Sequence, residues 1–170
     1  MLGRLTYLAL AAVVLALWAL MVTVTGPAIT KAAGGLAPFD LRITGYDLAQ
    51  AQAFLSRISG PGRDLYLEAQ LRLDTFFPVV LGLFLTWSFV ALYPRLPATL
   101  LAVVAMAGGG ADLVENARVA VMLRAPEVTA EMVAAASQAT VAKWALDGVA
   151  LTAFALGIAI SALRRLRGAG

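Results

Sequence analysis

The 170-residue chain contains no cysteine and no histidine. Those two absences exclude disulfides and thiolate chemistry, His-ligated haem, zinc sites of the usual kind and any Ser–His machinery. A metal site would have to be built from oxygen ligands, which favours Mg, Ca or Mn. Charge is scarce as well. Only 14% of the residues are Asp, Glu, Lys or Arg, and the net charge is +3. So small an excess fits Arg residues flanking membrane spans better than a nucleic-acid surface, and no nucleic-acid partner is expected. What the chain has in abundance is apolar. Hydrophobic residues make up 61% of it and the mean hydropathy is +0.86, against about 45–50% apolar in a soluble domain. Composition alone makes this a membrane protein.

About 20 apolar residues cross the hydrocarbon of a bilayer, and four runs qualify: residues 5–25, 75–93, 98–123 and 140–163. Arg4 precedes the first run as it would in a signal peptide. The run is longer than the roughly 7–15 residues of a signal core and no clean small-residue cleavage site follows, so an uncleaved span is expected. Pro78 lies one turn into the second run, where a lost hydrogen bond is tolerable near a helix start. The pattern predicts an all-α, four-helix membrane bundle forming a single domain over 1–170.

Residues 26–74 form a long connection between the first two runs, too long to be structureless by default. Within it "TGYDLAQAQAFLSRISG" reads as a short amphipathic helix. Thr44 and Asp47 have capping-box spacing, Leu48, Ala51, Leu55 and Ile58 share a face, and Gly60 closes the helix. The stretch "RDLYLEAQLRLD" then leads into the second span, and the whole connection should cap the bundle. Arg4, Arg95, Arg164, Arg165 and Arg167 fall at one end with no acidic residue among them. The basic residues of the connection are interleaved with Asp40, Asp47, Asp64 and Glu68. The positive-inside rule therefore puts both termini in the cytoplasm and the cap outside.

The third run carries "GGGADLVENARVAVML", residues 108–123. A charged side chain in hydrocarbon is costly, about 2.5–3.5 kcal/mol on insertion scales. Asp112, Glu115 and Asn116 are spaced i, i+3, i+4 and share a side of the helix. Arg118 is placed to pair with Glu115. Lys143 and Asp147 are spaced i, i+4 on the fourth run, and Asp74 stands at the outer end of the second. Three spans thus deliver ionisable groups to one outer layer. Gly108, Gly109 and Gly110 let backbones approach closely below it. Asp74, Asp112, Glu115 and Asp147 outnumber Lys143 and Arg118, so either some carboxylates hold protons or a cationic ligand completes the set. These six, with Asn116, are candidate ligand-binding residues. The competing reading is an ion-pair network that fixes helix register.

"FDLRITGYD" (39–47), "LDTFF" (73–77), "DLVEN" (112–116) and "AKW" (142–144) occur in an order that resembles an uncharacterised family of bacterial four-span membrane proteins. The resemblance implies the same four-span fold and marks Asp74, Asp112, Glu115, Asn116 and Lys143 as the family's polar positions. It implies nothing about substrate. One D-x-x-E is a weak match to the carboxylate blocks of membrane prenyl- and phosphotransferases. "GGG" lacks the strand and Lys-Ser/Thr of a phosphate loop. Trp18, Trp87, Trp144, Tyr7 and Tyr93 read as interfacial anchors.

Three functions fit these residues. The leading one is an outward-facing acidic intramembrane site for a small ligand, a cation or a lipid headgroup. The second is an accessory subunit of a larger membrane complex, with other membrane subunits or further copies of the chain as partners. The third is a lipid- or isoprenoid-modifying enzyme, which no nucleophile motif supports, so the reading leans away from an enzyme. Membrane lipid is an expected partner in each. No organic cofactor is expected. Any metal would be an oxygen-ligated divalent cation on Asp112 and Glu115.

Overall fold

Four helices are long and apolar enough to cross a membrane: Gly3–Ala32, Gly60–Leu92, Arg95–Arg124 and Ala130–Arg167. The computed structural model describes residues 2–168, and among them there is no strand. The chain is an all-α four-helix membrane bundle. Its helical segments are α1 (Leu2–Leu20), α2 (Gly26–Ala32), α3 (Leu48–Arg57), α4 (Gly60–Leu65), α5 (Leu71–Leu92), α6 (Arg95–Arg124) and α7 (Ala130–Gly168). A π turn, Met21–Thr25, joins α1 to α2 in the first span, and another, Tyr66–Gln70, joins α4 to α5 in the second. The helices continue past the apolar runs at the cap end, so the true connection between the first two spans is only 33–59.

The outward faces are apolar. Phe76, Leu83, Val90, Leu100 and Val103 are each more than half exposed, a surface that would aggregate in water and is at home in lipid. Inside, α6 packs along both α5 and α7, whereas α1 leans on α5. Small buried residues make these approaches possible: Ala98, Ala105 and Gly108 on α6, Ala136 and Ala150 on α7. A Cβ at Gly109 would stand 3.2 Å from the Pro78 carbonyl oxygen, and one at Gly108 would collide with the Asp147 carboxylate. Gly110 faces open space. Two of the three consecutive glycines therefore serve packing.

The cap is held by its own aromatic core. Phe39, Phe54 and Tyr66 are fully buried and pack with Val119, Met122 and Leu123 of α6 and Val133 and Ala136 of α7. Arg42 lies over the rings of Phe39, Tyr46 and Phe54 at 5.2, 5.6 and 5.5 Å. Burial lowers the pKa of that guanidinium and raises that of the Tyr46 phenol. Gly45 has φ +85°, and a Cβ there would strike Ser137. That close approach lets the Tyr46 N–H donate to Ser137 Oγ at 2.8 Å, docking the cap on α7.

The caps of α3 differ from the sequence expectation. Asp47, not Thr44, is the N-cap, and Gln50 completes a capping box with it. The box is therefore D-x-x-Q, three residues further along the chain. Phe54, absent from the expected face, is its most buried large residue. Gly60 does not close α3. Ile58 turns extended, and Ser59 caps a new helix that begins at Gly60.

Proline placement sets the local geometry of two spans. Pro27 cannot donate to the carbonyl of Thr23 and its ring displaces that carbonyl. The chain opens into the π turn, where Gly26 N–H donates to the Met21 carbonyl and no Cβ would fit at Gly26. Pro78 is not near a helix start, because its span begins at Gly60. It sits mid-span and removes the N–H that would have met the Asp74 carbonyl. Asn116 replaces it: its Nδ2 donates to Asp74 O at 2.9 Å. In hydrocarbon an unpaired carbonyl has no water to turn to.

Asn116→Ala should therefore destabilise the bundle by about 1–3 kcal/mol. In a Pro78→Ala background, where residue 78 regains its N–H, most of that loss should disappear. Thermal unfolding of the four combinations in one detergent measures the coupling. Equal losses in both backgrounds would contradict this role for Asn116.

Candidate intramembrane acidic site

A polar layer lies between two dry cores. On the cap side is the aromatic core described above, and on the other side Leu81, Leu85, Phe89, Ala105 and Ala150 pack together. Each span crosses the layer once, and helical periodicity decides what it presents. On α6, Asp112, Glu115 and Asn116 are all buried, as their shared face requires. On α7, Thr140 and Lys143 are buried and Asp147 is half-buried. On the second span Asp74 is buried just below Gln70.

Lys143 is the hub. Its ammonium pairs with Glu115 and lies 3.5 Å from Asp112 Oδ1. Thr140 donates its hydroxyl to Glu115 Oε1 at 2.5 Å, and Asn116 Nδ2 reaches Asp112 Oδ1 at 3.4 Å. Helix α7 thus neutralises and hydrogen-bonds the acidic face of α6. Arg118 does not take part: it is exposed and forms no ion pair with any described residue. The expected Glu115–Arg118 pair is replaced by Glu115–Lys143. Arg118 lies on the flank of α6, turned away from Asp112, whereas Lys143 projects straight into the cluster from the facing helix.

The layer opens into a cavity of about 810 Å³ bounded by all four spans and the cap. Asp40, Asp74, Asp112 and Asp147 line it, with Lys143 beside them and the exposed Lys31 at its rim. One buried carboxyl group in this wall has an open acceptor: Asp74 is 5% exposed, and its Oδ2 has no hydrogen-bond partner among the described residues. Asn116 Oδ1, buried alongside, is also unpartnered, because the two acceptors facing Nδ2 fix the amide the other way. Both orphans are acceptors. Burying such groups unpaired is unfavourable.

Several of these residues gave no isolated signal in the sequence. Asp40 lies in the cap, in a 3₁₀ turn over Phe39–Leu41. Tyr66 OH donates to Asp40 Oδ1 at 2.6 Å, and Trp144 Nε1 donates to its carbonyl at 2.8 Å, so the cap is pinned to the second and fourth spans at the cavity edge. Gln70 joins the two π turns by accepting from the Thr25 hydroxyl. Trp18 and Trp144 line the cavity instead of serving only as interfacial anchors. The clue to Asp40 was an acidic residue flanked by Phe39 and Leu41. As for metals, no group of three or more carboxylates converges as a site among the described residues. Lys143 occupies the space between Asp112 and Glu115 that a divalent ion would need.

No protein-family model matches this chain, and neither curated proteins nor solved structures yield a match.

Removing one member of a buried ion pair costs about 3–5 kcal/mol. Lys143→Met should thus lower stability by about that much, since it strands Asp112 and Glu115. Adding Glu115→Gln to Lys143→Met should recover a large part. Detergent melting curves of the single and double variants test this. A Lys143→Met protein as stable as the parent would show that the network is dispensable.

Proposed function

We propose that the polar layer is a binding site for a ligand that donates hydrogen bonds and carries positive charge: a small amine, a cation or a cationic lipid headgroup. The observation that carries this reading is Asp74 Oδ2, a buried carboxylate oxygen on a cavity wall with no partner. A structural network has reason to satisfy every member, since each orphan in hydrocarbon is unfavourable. A site that exchanges a ligand leaves an acceptor open. The surrounding charge agrees, with four carboxylates around the cavity against the buried Lys143. Asp112 and Glu115 are held by Lys143 and set the field; Asp74 and Asp147 are the groups free to meet the ligand.

The basic residues Arg4, Arg95, Arg164, Arg165 and Arg167 stand at the end of the bundle opposite the cap. By the positive-inside rule that end is cytoplasmic in a bacterial inner membrane, and the site faces the exterior beneath the cap.

Butylamine serves as a head-only probe. It should bind saturably, one per chain, when titrated calorimetrically into the detergent-purified protein. Asp74→Asn should weaken it about 10- to 100-fold, the value of a charge-assisted hydrogen bond. The same variant should melt at an equal or higher temperature, because it removes a buried carboxyl oxygen that has no partner. Undiminished butylamine binding in Asp74→Asn would overturn the proposal.

A further inference from the structure

We infer that the occupant of this site is a membrane amphiphile with an amine headgroup, which enters sideways from the bilayer between the first and fourth spans. This rests on the acidic-site reading and adds the shape of the ligand and its route. The cavity is not a simple polar pocket. From the level of Asp74, Lys143 and Met21 it continues toward the basic end of the bundle along Leu81, Leu151 and Val14. Those residues lie seven or eight positions further along their helices, which is about 10–12 Å at 1.5 Å per residue. Leu15, Trp18 and Phe77 also line that stretch, and beyond Asp147, one turn past Lys143, it carries no charge. A donor-seeking acidic chamber therefore runs into an apolar groove parallel to the spans, which is the orientation of a lipid in its leaflet.

The groove is open on one side. Helix α1 packs on α5 but makes no comparable contact with α7. The walls facing that gap are accessible: Leu15 is 63% and Leu151 is 44% exposed, although both line the cavity. A ligand arriving from water would have to pass the cap, where Asp40 is tied to Tyr66 and Trp144. A ligand already in the bilayer meets no such barrier. Its chain stays in hydrocarbon throughout, so only the head exchanges its surroundings. Charge selects the head: the wall presents the buried Asp74 and Asp112 and the half-buried Asp147, with Lys143 already committed to Glu115 and Asp112. An anionic head of equal chain length would meet unpaired carboxylates. The volume of about 810 Å³ falls within the range of roughly 300–1,000 Å³ typical of small-molecule sites.

Native mass spectrometry of the detergent-released protein, incubated with tetradecylamine or with myristate of the same chain length, tests this directly. One tetradecylamine per chain should be retained, at least tenfold in preference to myristate. Asp74→Asn should abolish the preference. Leu151→Trp, which fills the groove without altering charge, should lower tetradecylamine retention at least tenfold while the protein stays helical by circular dichroism. Tetradecylamine should also displace bound butylamine. Two results would overturn the amphiphile while leaving the acidic site standing: butylamine binding that excess tetradecylamine does not displace, or tetradecylamine retention unchanged in Leu151→Trp. Equal retention of myristate would overturn the choice of head. Binding of neither amine would sink both this inference and the site on which it rests.

Discussion

The ammonium of Lys143, set between Glu115 and Asp112, is the interaction on which the rest of the bundle depends. In hydrocarbon an unneutralised carboxylate has no water to relax it. Helix α6 buries two of them and an amide on a single face, so it must lie against a helix that brings a cation to that depth. That requirement fixes the rotation of α7 and its register against α6. The glycines then follow: with the two helices held together at the polar layer, Gly108 must make room for Asp147 on the next turn, and Gly109 for Pro78 across on α5. The small buried alanines extend the same contact toward both ends.

A second constraint is backbone satisfaction. Pro78 frees a carbonyl in the middle of a span, and Asn116 is the group that answers it. That bond ties the second span to the third at the same level as the ion pair, and it orients the amide so that its oxygen is left without a partner. Asp74 therefore sits where its own backbone is bound and one of its carboxylate oxygens, Oδ2, is not. The site owes its open acceptors to the way the bundle solves its backbone problem. Open acceptors and structural polar groups are here consecutive links of one chain of contacts, which is why removing Lys143 or Asn116 is expected to act on stability first. Asp74, at the open end of the chain, can change binding while the bundle stands.

Much of this was legible along the chain. Four apolar runs of sufficient length dictate four spans, and the i, i+3, i+4 spacing of Asp112, Glu115 and Asn116 dictates one buried face, because a membrane helix has only one face on which such groups can be tolerated. Lys143 and Asp147 follow from the same logic. What periodicity could not reveal is which cation reaches which carboxylate. Spacing offered Arg118 as the partner of Glu115, and Lys143 on the facing helix took its place. Nor could it place Asp40, whose position depends on a cap held by Tyr66 and Trp144 from two different spans. The role of Pro78 was misread for a related reason. The helix it interrupts begins well before the apolar run, and a proline that looks terminal by hydropathy is internal by hydrogen bonding. Trp18 and Trp144 read as interfacial anchors by residue type, but they line a cavity that hydropathy does not see.

The central claim is that the acidic layer is an incomplete site rather than a closed structural network. A crystal structure of the protein grown from a lipid mesophase containing tetradecylamine would test it most directly. The account predicts elongated electron density in the groove between the first and fourth spans, with its polar end within hydrogen-bond distance of Asp74 Oδ2. A groove closed by α1 moving onto α7, with Asp74 satisfied by a protein donor, would contradict it and make the polar layer purely structural.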